Sequence, residues 1–213
     1  MLKRYIGDRR FYRSVMAVAV PIMIQNFITN FVGMLDNIMV GQVGTAEMSG
    51  VAIVNQILFV FYLCLFGAAS GAGIFTAQFF GNSDHEGVRH TFRYKILAGV
   101  VITAVGTAIF LLFGSNLISF FLKGDGEAGE AERYLSFGRE YMGIMLAGLL
   151  PFAVTSAYTS TLRECGQTVV PMVAGIVAVL VNLLLNWVLI FGNLGAPALG
   201  ISGAAIATVI LLY

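Results

Sequence analysis

Long apolar runs divide this chain, and they decide what it can fold into. A helix that crosses a bilayer needs roughly 20 mostly apolar residues. Residues 15–40, 51–80, 96–122, 141–162, 169–191 and those from 199 onward meet or approach that length. The separators carry the charges and the turn residues: GQVGTAEMSG, GNSDHEGVRHTFRYK, KGDGEAGEAERYLSFGRE, RECGQT and GNLGAPA. None is long enough for a soluble domain. Only 11% of the residues are charged, against about 25% in soluble domains. Too few charges exist to cover a water-facing surface, so lipid is the solvent for most of the chain. The expectation is an all-α, polytopic membrane helical bundle of six transmembrane helices, with residues 1–213 as a single membrane domain.

Several function classes drop out early. No basic stripe with interleaved aromatics is present, which argues against a nucleic-acid partner. No nucleophile motif, P-loop or dinucleotide fingerprint appears, so the chain does not read as an enzyme. The stretch HEGVRH (85–90) resembles a zinc-binding HExxH, but its second His falls one residue late. It reads as a charged loop without metal. Cys64 and Cys165 lack any paired spacing and read as free thiols. No cofactor is expected. The basic start MLKRYIGDRRFYRS runs into an apolar stretch too long for a signal-peptide core, which reads as a retained first span.

Orientation follows from Lys and Arg in the short connections. Lys3, Arg4, Arg9, Arg10, Arg13, Arg89, Arg93, Lys95 and Arg163 fall on the N-terminal side; Lys123, Arg133 and Arg139 fall on the other. Nine against three puts the N-terminus in the cytoplasm, in a cell (inner) membrane. The last run, 199–213, holds 15 residues, or about 22 Å of a ~30 Å core. The chain therefore reads as a piece of something longer, cut within or just at the end of helix 6. A six-helix copy following it would enter in the same orientation, as in transporters built from parallel repeats.

One acid interrupts this apolar pattern. Asp36 sits in FVGMLDNIMVGQVG, about 7 Å below the outer end of helix 1. A carboxylate there costs several kcal/mol unless paired, hydrated or neutralised, which makes it a functional candidate. Asn182 and Asn186, spaced to share one helix face, lie roughly 15 and 9 Å below the same boundary in helix 5. Asn55 and Gln56 follow the outer start of helix 2, and Tyr141 lies in the first turns of helix 4. Asn26, Thr29 or Asn30, Gly33, and Asp36 or Asn37 repeat at helical spacing as a polar stripe on helix 1 that should face the bundle interior or a wet cavity. Glue between helices is the plainer role for such amides. Pro21 and Pro151 each remove a backbone donor inside a helix and invite a kink. Gly67 and Gly71 form a GxxxG pair that reads as close helix packing. SGVAIV at Ser49 and SGAAIA at Ser202 form a faint internal echo.

Taken together, AVPIMIQNFITNFVGMLDNIMVGQVGTAEMSGVAI, PFAVTSAYTSTLRECGQTVVPM and NLLLNWVLIFGNLGAPALGISGAAIAT resemble the first, fourth-to-fifth and fifth-to-sixth helices of MATE transporters, the multidrug and toxic compound extrusion family. The resemblance covers essentially the whole chain and implies one six-helix lobe, the N-terminal one, of a two-lobe, twelve-helix transporter. It implies export of cationic drugs and other toxic organic compounds, a xenobiotic antiport coupled to H+ or Na+. By position, Asp36 matches the helix 1 acid implicated in coupling. Asn182, Tyr141 and Thr208 match polar positions around it. Asn186 stands where some archaeal members carry Asp, leaving one acid among amides, a set that suits a proton or a hard ion such as Na+ at Asp36. The implied partners are the bilayer, small organic cations, and a C-terminal lobe or a second copy. Two alternatives stand beside this reading. A lipid-linked oligosaccharide flippase of the same superfamily needs basic residues in its cavity, and none lies mid-helix here. A non-transporting scaffold needs no Asp36.

Overall fold

The structure is a computed structural model that describes residues 8–122 and 128–212. Among the described residues it contains α1 (Arg9–Gly41), α2 (Thr45–Gly81), α3 (His85–Leu122), α4 (Ala128–Glu164), α5 (Val169–Phe191) and α6 (Ile201–Leu212), with a 3-10 turn at Asn193–Gly195. Five of the helices are long and apolar enough to cross a membrane; α6 is shorter, with 12 residues. Lys3, Arg4 and Lys123, used above in reading orientation, lie outside the described residues.

The first four helices begin earlier than their apolar runs. α3 starts at His85 rather than 96, and α4 at Ala128 rather than 141. The charged separators continue the helices into water, where a polar helix satisfies its own backbone. Asp8 and Asp84 start two of these extensions, accepting from the Phe11 and Gly87 amides at 2.7 and 2.9 Å. Such N-caps satisfy amides that the first turn leaves free. The HEGVRH stretch is therefore the first turns of α3 and not a loop. No cluster of metal-ligating groups occurs among the described residues.

The helices α2, α3 and α4 pack on one another most extensively. α6 bridges α4 and α5, α1 lies along α5, and α1 barely touches α2. The core runs through Val54, Leu58, Leu65, Ile118, Met145, Leu149 and Ala205. Glycines permit the closest approaches. A Cβ on Gly50 would meet the backbone of Tyr134 and Gly138 at 3.0 Å, and one on Gly203 would meet the Leu189 carbonyl at 2.6 Å. These two glycines sit in the two halves of the SGVAIV/SGAAIA echo. Each lets a helix start lie directly against a neighbouring backbone.

The GxxxG pair does not do this. Gly67 and Gly71 are exposed, with nothing within 4 Å of an added Cβ. α2 turns its Ala69, Ala72, Gly73 and Thr76 face inward instead. The pattern marks where an approach is sterically open, but the rotation of α2 is set by its larger apolar face.

Gly192 ends α5 in the left-handed conformation (φ 73°), and its amide donates to Val188 O at 2.9 Å. This glycine cap lets the chain reverse. The Leu199 and Gly200 amides then donate to the Leu189 and Ile190 carbonyls, at 2.9 and 3.3 Å, as α6 begins. Both prolines lie inside unbroken helices, Pro21 in α1 and Pro151 in α4.

Candidate functional site

α5 builds the floor of the site. Its buried positions Pro171, Val179, Asn182, Asn186 and Ile190 recur every three, four or eight residues, which places them on one helix face. Two amides thus stand in an apolar stripe, with Asn182 at 3% and Asn186 at 1% exposure. Asn186 Nδ2 donates to Asp36 Oδ1 at 2.7 Å and to Asn182 Oδ1 at 3.2 Å. One amide group therefore joins α1 to α5 and organises its own helix. Asn186 Oδ1 and Asn182 Nδ2 are buried without a partner among the described residues. Buried polar atoms normally have partners, so unpaired ones call for an explanation. An unpaired amide oxygen beside a carboxylate is a donor set that a hard cation or a proton-bearing group fits, because such cations take oxygen ligands.

A second polar pair faces this one from α4 and α2. The buried Tyr141 hydroxyl donates to Asn55 Oδ1 at 3.5 Å, a long contact. Asp36 and Tyr62 lie within electrostatic range of Tyr141. Tyr62 packs on Phe152 with ring centroids 4.4 Å apart. Tyr62 was missed in the sequence because a lone Tyr in an apolar run looks like core. Asp36 is the only Asp or Glu within the six apolar runs.

The remaining candidates separate. Thr208 lies seven residues into α6, at a depth similar to Asn186, but its hydroxyl donates to Ala204 O of its own helix at 2.9 Å. Gln56 points away from Asn55, into an apolar groove of about 520 Å³ between α2 and α3 that Cys64, Gly106 and Phe110 also line. Adjacent helical residues are about 100° apart, so only one of the two can face Tyr141. Asn26, Thr29, Asn30, Gly33 and Asn37 are exposed along α1. Only Asp36 of that stripe turns into α5, so the rest does not enter the bundle interior. α1 rests mainly on α5 and buries only Val32 and Val40.

The absence of mid-helix basic residues also needs correction. Lys95 is helical and 3% exposed, ten residues into α3. Its ammonium pairs with Glu164, and donates to Ser160 Oγ at 3.3 Å and Thr161 Oγ1 at 3.2 Å. The Glu164 carboxylate rests on Gly73 of α2. The charge is thus neutralised at the N-terminal face, away from the Asp36 group. At the opposite face Ser202, at the start of α6, donates to the Glu140 carboxylate of α4.

Residues 21–188 match the family model named MatE. The chain belongs to the MatE family. It is 29% identical over 202 residues to the probable multidrug resistance protein NorM of Thermotoga maritima, covering 93% of this chain and 41% of that protein. The Bacillus subtilis protein of the same name is 26% identical over 212 residues, 100% of this chain and 45% of the relative. Among solved structures, an outward-facing multidrug resistance MATE family transporter of the MOP superfamily superposes with a TM-score of 0.75 at 22% identity. A MOP superfamily transporter from Pyrococcus furiosus, whose pocket is described as of reverse polarity, superposes at 0.74 and 23% identity. Each comparison covers 93% of this chain and 42% of the other. The MatE chain described here thus spans about two fifths of the length of the relatives it matches. The shared fold is all-helical and membrane-spanning.

Proposed function

We propose that this chain is the N-terminal lobe of a multidrug efflux antiporter and that Asp36 holds its coupling ion, H+ or Na+. The observation that carries the reading is Asp36 bonded to Asn186 beside the unpaired Asn186 Oδ1. Ionised, Asp36 attracts a cation, and the amide oxygens of Asn186 and Asn55 are compatible further ligands. Protonated, it is neutral, and its attraction for a cationic compound is gone. Exchange follows if ion and compound favour different arrangements of α1 against the other helices. Tyr141 and Tyr62 add aromatic faces that attract organic cations. Thr208 contributes bulk at the same depth, and Asn26, Thr29 and Asn30 line the open side of α1 as a polar path for the exported compound.

The same reading puts the N-terminus in the cytoplasm and the protein in the cytoplasmic membrane. Arg9, Arg10, Arg13, Arg89 and Arg93 are exposed on the N-terminal face, as the positive-inside rule requires. The test uses the full-length protein in liposomes loaded with ethidium. An imposed inward proton or sodium gradient should drive ethidium out. Efflux that ignores both gradients would contradict an ion-coupled antiporter.

A further inference from the structure

The connection between α4 and α5 makes two contacts with α1 that the reading above does not use. Both flank Pro21. Proline has no amide hydrogen, so Pro21 cannot donate to the carbonyl four residues earlier, that of Ala17. An unpaired carbonyl inside a membrane helix is costly, and neighbouring hydroxyls are one remedy. Thr168 Oγ1 donates to Ala17 O at 3.4 Å.

This contact has a second peculiarity. Thr168 occupies the N-cap of α5, where a Thr hydroxyl ordinarily accepts from an amide of its own first turn. Here it makes no cap bond and has a helical backbone conformation (φ −86°, ψ −23°). The residue is 3% exposed. Its hydroxyl leaves its own helix uncapped and turns to α1.

One turn after Pro21, Gln25 is held from the other side. Arg163 Nη2, in the last turn of α4, donates to Gln25 Oε1 at 2.5 Å. Gln25 lies against Gly175 of α5, where a Cβ would come within 2.6 Å of its Nε2. Arg163 Nε is buried without a partner among the described residues. The guanidinium is thus committed to Gln25 even though that leaves one donor unmet. α1 has little else to fix it here, since its only extensive neighbour is α5.

We propose that the α4–α5 corner is a clip that sets the course of α1 through Pro21. Thr168 replaces the hydrogen bond that the proline withholds from Ala17, and Arg163 seats Gln25 on Gly175. Thr168 and Arg163 are positioning residues: they touch neither Asp36 nor its amides. Thr168 fixes α1 just before Pro21 and Arg163 fixes it just after, while Asn186 fixes it further along, at Asp36. The clip's consequence for transport rests on the efflux reading; its effect on helix position does not.

The experiment is a double-mutant comparison in the full-length protein, with Cys64 and Cys165 replaced and spin labels at the exposed positions Met16 and Val173. Interlabel distances report α1 against α5 whether or not the protein transports. Thr168→Val keeps the shape and removes the donor. It should raise the displaced fraction of the distance distribution about threefold, the scale of one interhelical hydrogen bond in a membrane. Thr168→Ser should match the parent, and Gln25→Leu should resemble Thr168→Val. In a Pro21→Ala background the amide returns, so Thr168→Val should then have almost no further effect. An unchanged distribution in Thr168→Val, or an equal rise in the Pro21→Ala background, would overturn the clip. Failure of ethidium efflux with the predicted distances would sink the transport reading and leave the clip standing.

Discussion

Asn186 and Asp36 lie 150 positions apart in sequence and 2.7 Å apart in space. The bond joins α1 to α5 through the most deeply buried amide of the site. Asn186→Leu should therefore affect more than local polarity. It removes the donor to Asp36 and the partner of Asn182 Oδ1 together. A lost hydrogen bond to a charged group costs about 1.5–3 kcal/mol. We expect a clear drop in thermal stability at a pH where Asp36 is ionised and little drop for Asn186→Asp with a bound cation. Equal melting curves for parent and Asn186→Leu would show that the bond holds nothing.

Some of this relationship was legible in the sequence. The i, i+4 spacing of Asn182 and Asn186 fixed a common face, and the distance of each polar residue from its loop gave a common depth. The bounds of α5 were also readable, because its apolar run ends sharply at Gly192. Rotation was not. Asn55 and Gln56 are equivalent by depth, and only packing of α2 on α4 turns Asn55 to Tyr141 and Gln56 to the far groove. The same limit misled the reading of Gly67 and Gly71. Lys95 and Glu164 gave no signal at all, since a charge beside a loop looks solvated until the helix proves longer than the run.

That ion pair gives a second prediction. Lys95 is almost wholly enclosed, with Glu164, Ser160 and Thr161 around its ammonium. Glu164→Gln leaves a buried positive charge without its counter-charge, a loss of about 3 kcal/mol or more. Lys95→Met combined with Glu164→Met removes both charges and should recover most of that stability. Thermal unfolding in detergent checks the order. A double variant less stable than Glu164→Gln would mean that the pair's net attraction, not the stranded charge, dominates.

The glycines make a third. Gly203→Ala inserts a methyl against the Leu189 backbone at a site that cannot yield like a flexible side chain. Overpacking of this kind costs roughly 1–3 kcal/mol. Gly67→Ala, which meets nothing, should be neutral or slightly stabilising within a helix. If Gly67→Ala is the more damaging of the two, α2 must use that face against something beyond this chain.

Thiol reactivity offers a fourth. Burial pushes the Cys165 thiol pKa up, the Glu164 carboxylate pushes it further, and the Lys95 ammonium opposes them. The thiolate is the reacting form, so Cys165 should alkylate slowly near neutral pH and accelerate only above the usual thiol range. Glu164→Gln removes one of the two raising influences and should speed the reaction at fixed pH. The same slow rate in that variant would mean access, not thiolate fraction, sets it.

The central claim is that Asp36 holds the ion exchanged for the exported compound. The most direct measurement is ion release on ethidium binding to the purified full-length protein. Proton release is read with a pH dye in weak buffer, and sodium release with radioactive sodium. The account predicts that the parent releases one or the other and that Asp36→Asn, folded and inserted, releases neither. Undiminished release from well-folded Asp36→Asn would contradict it.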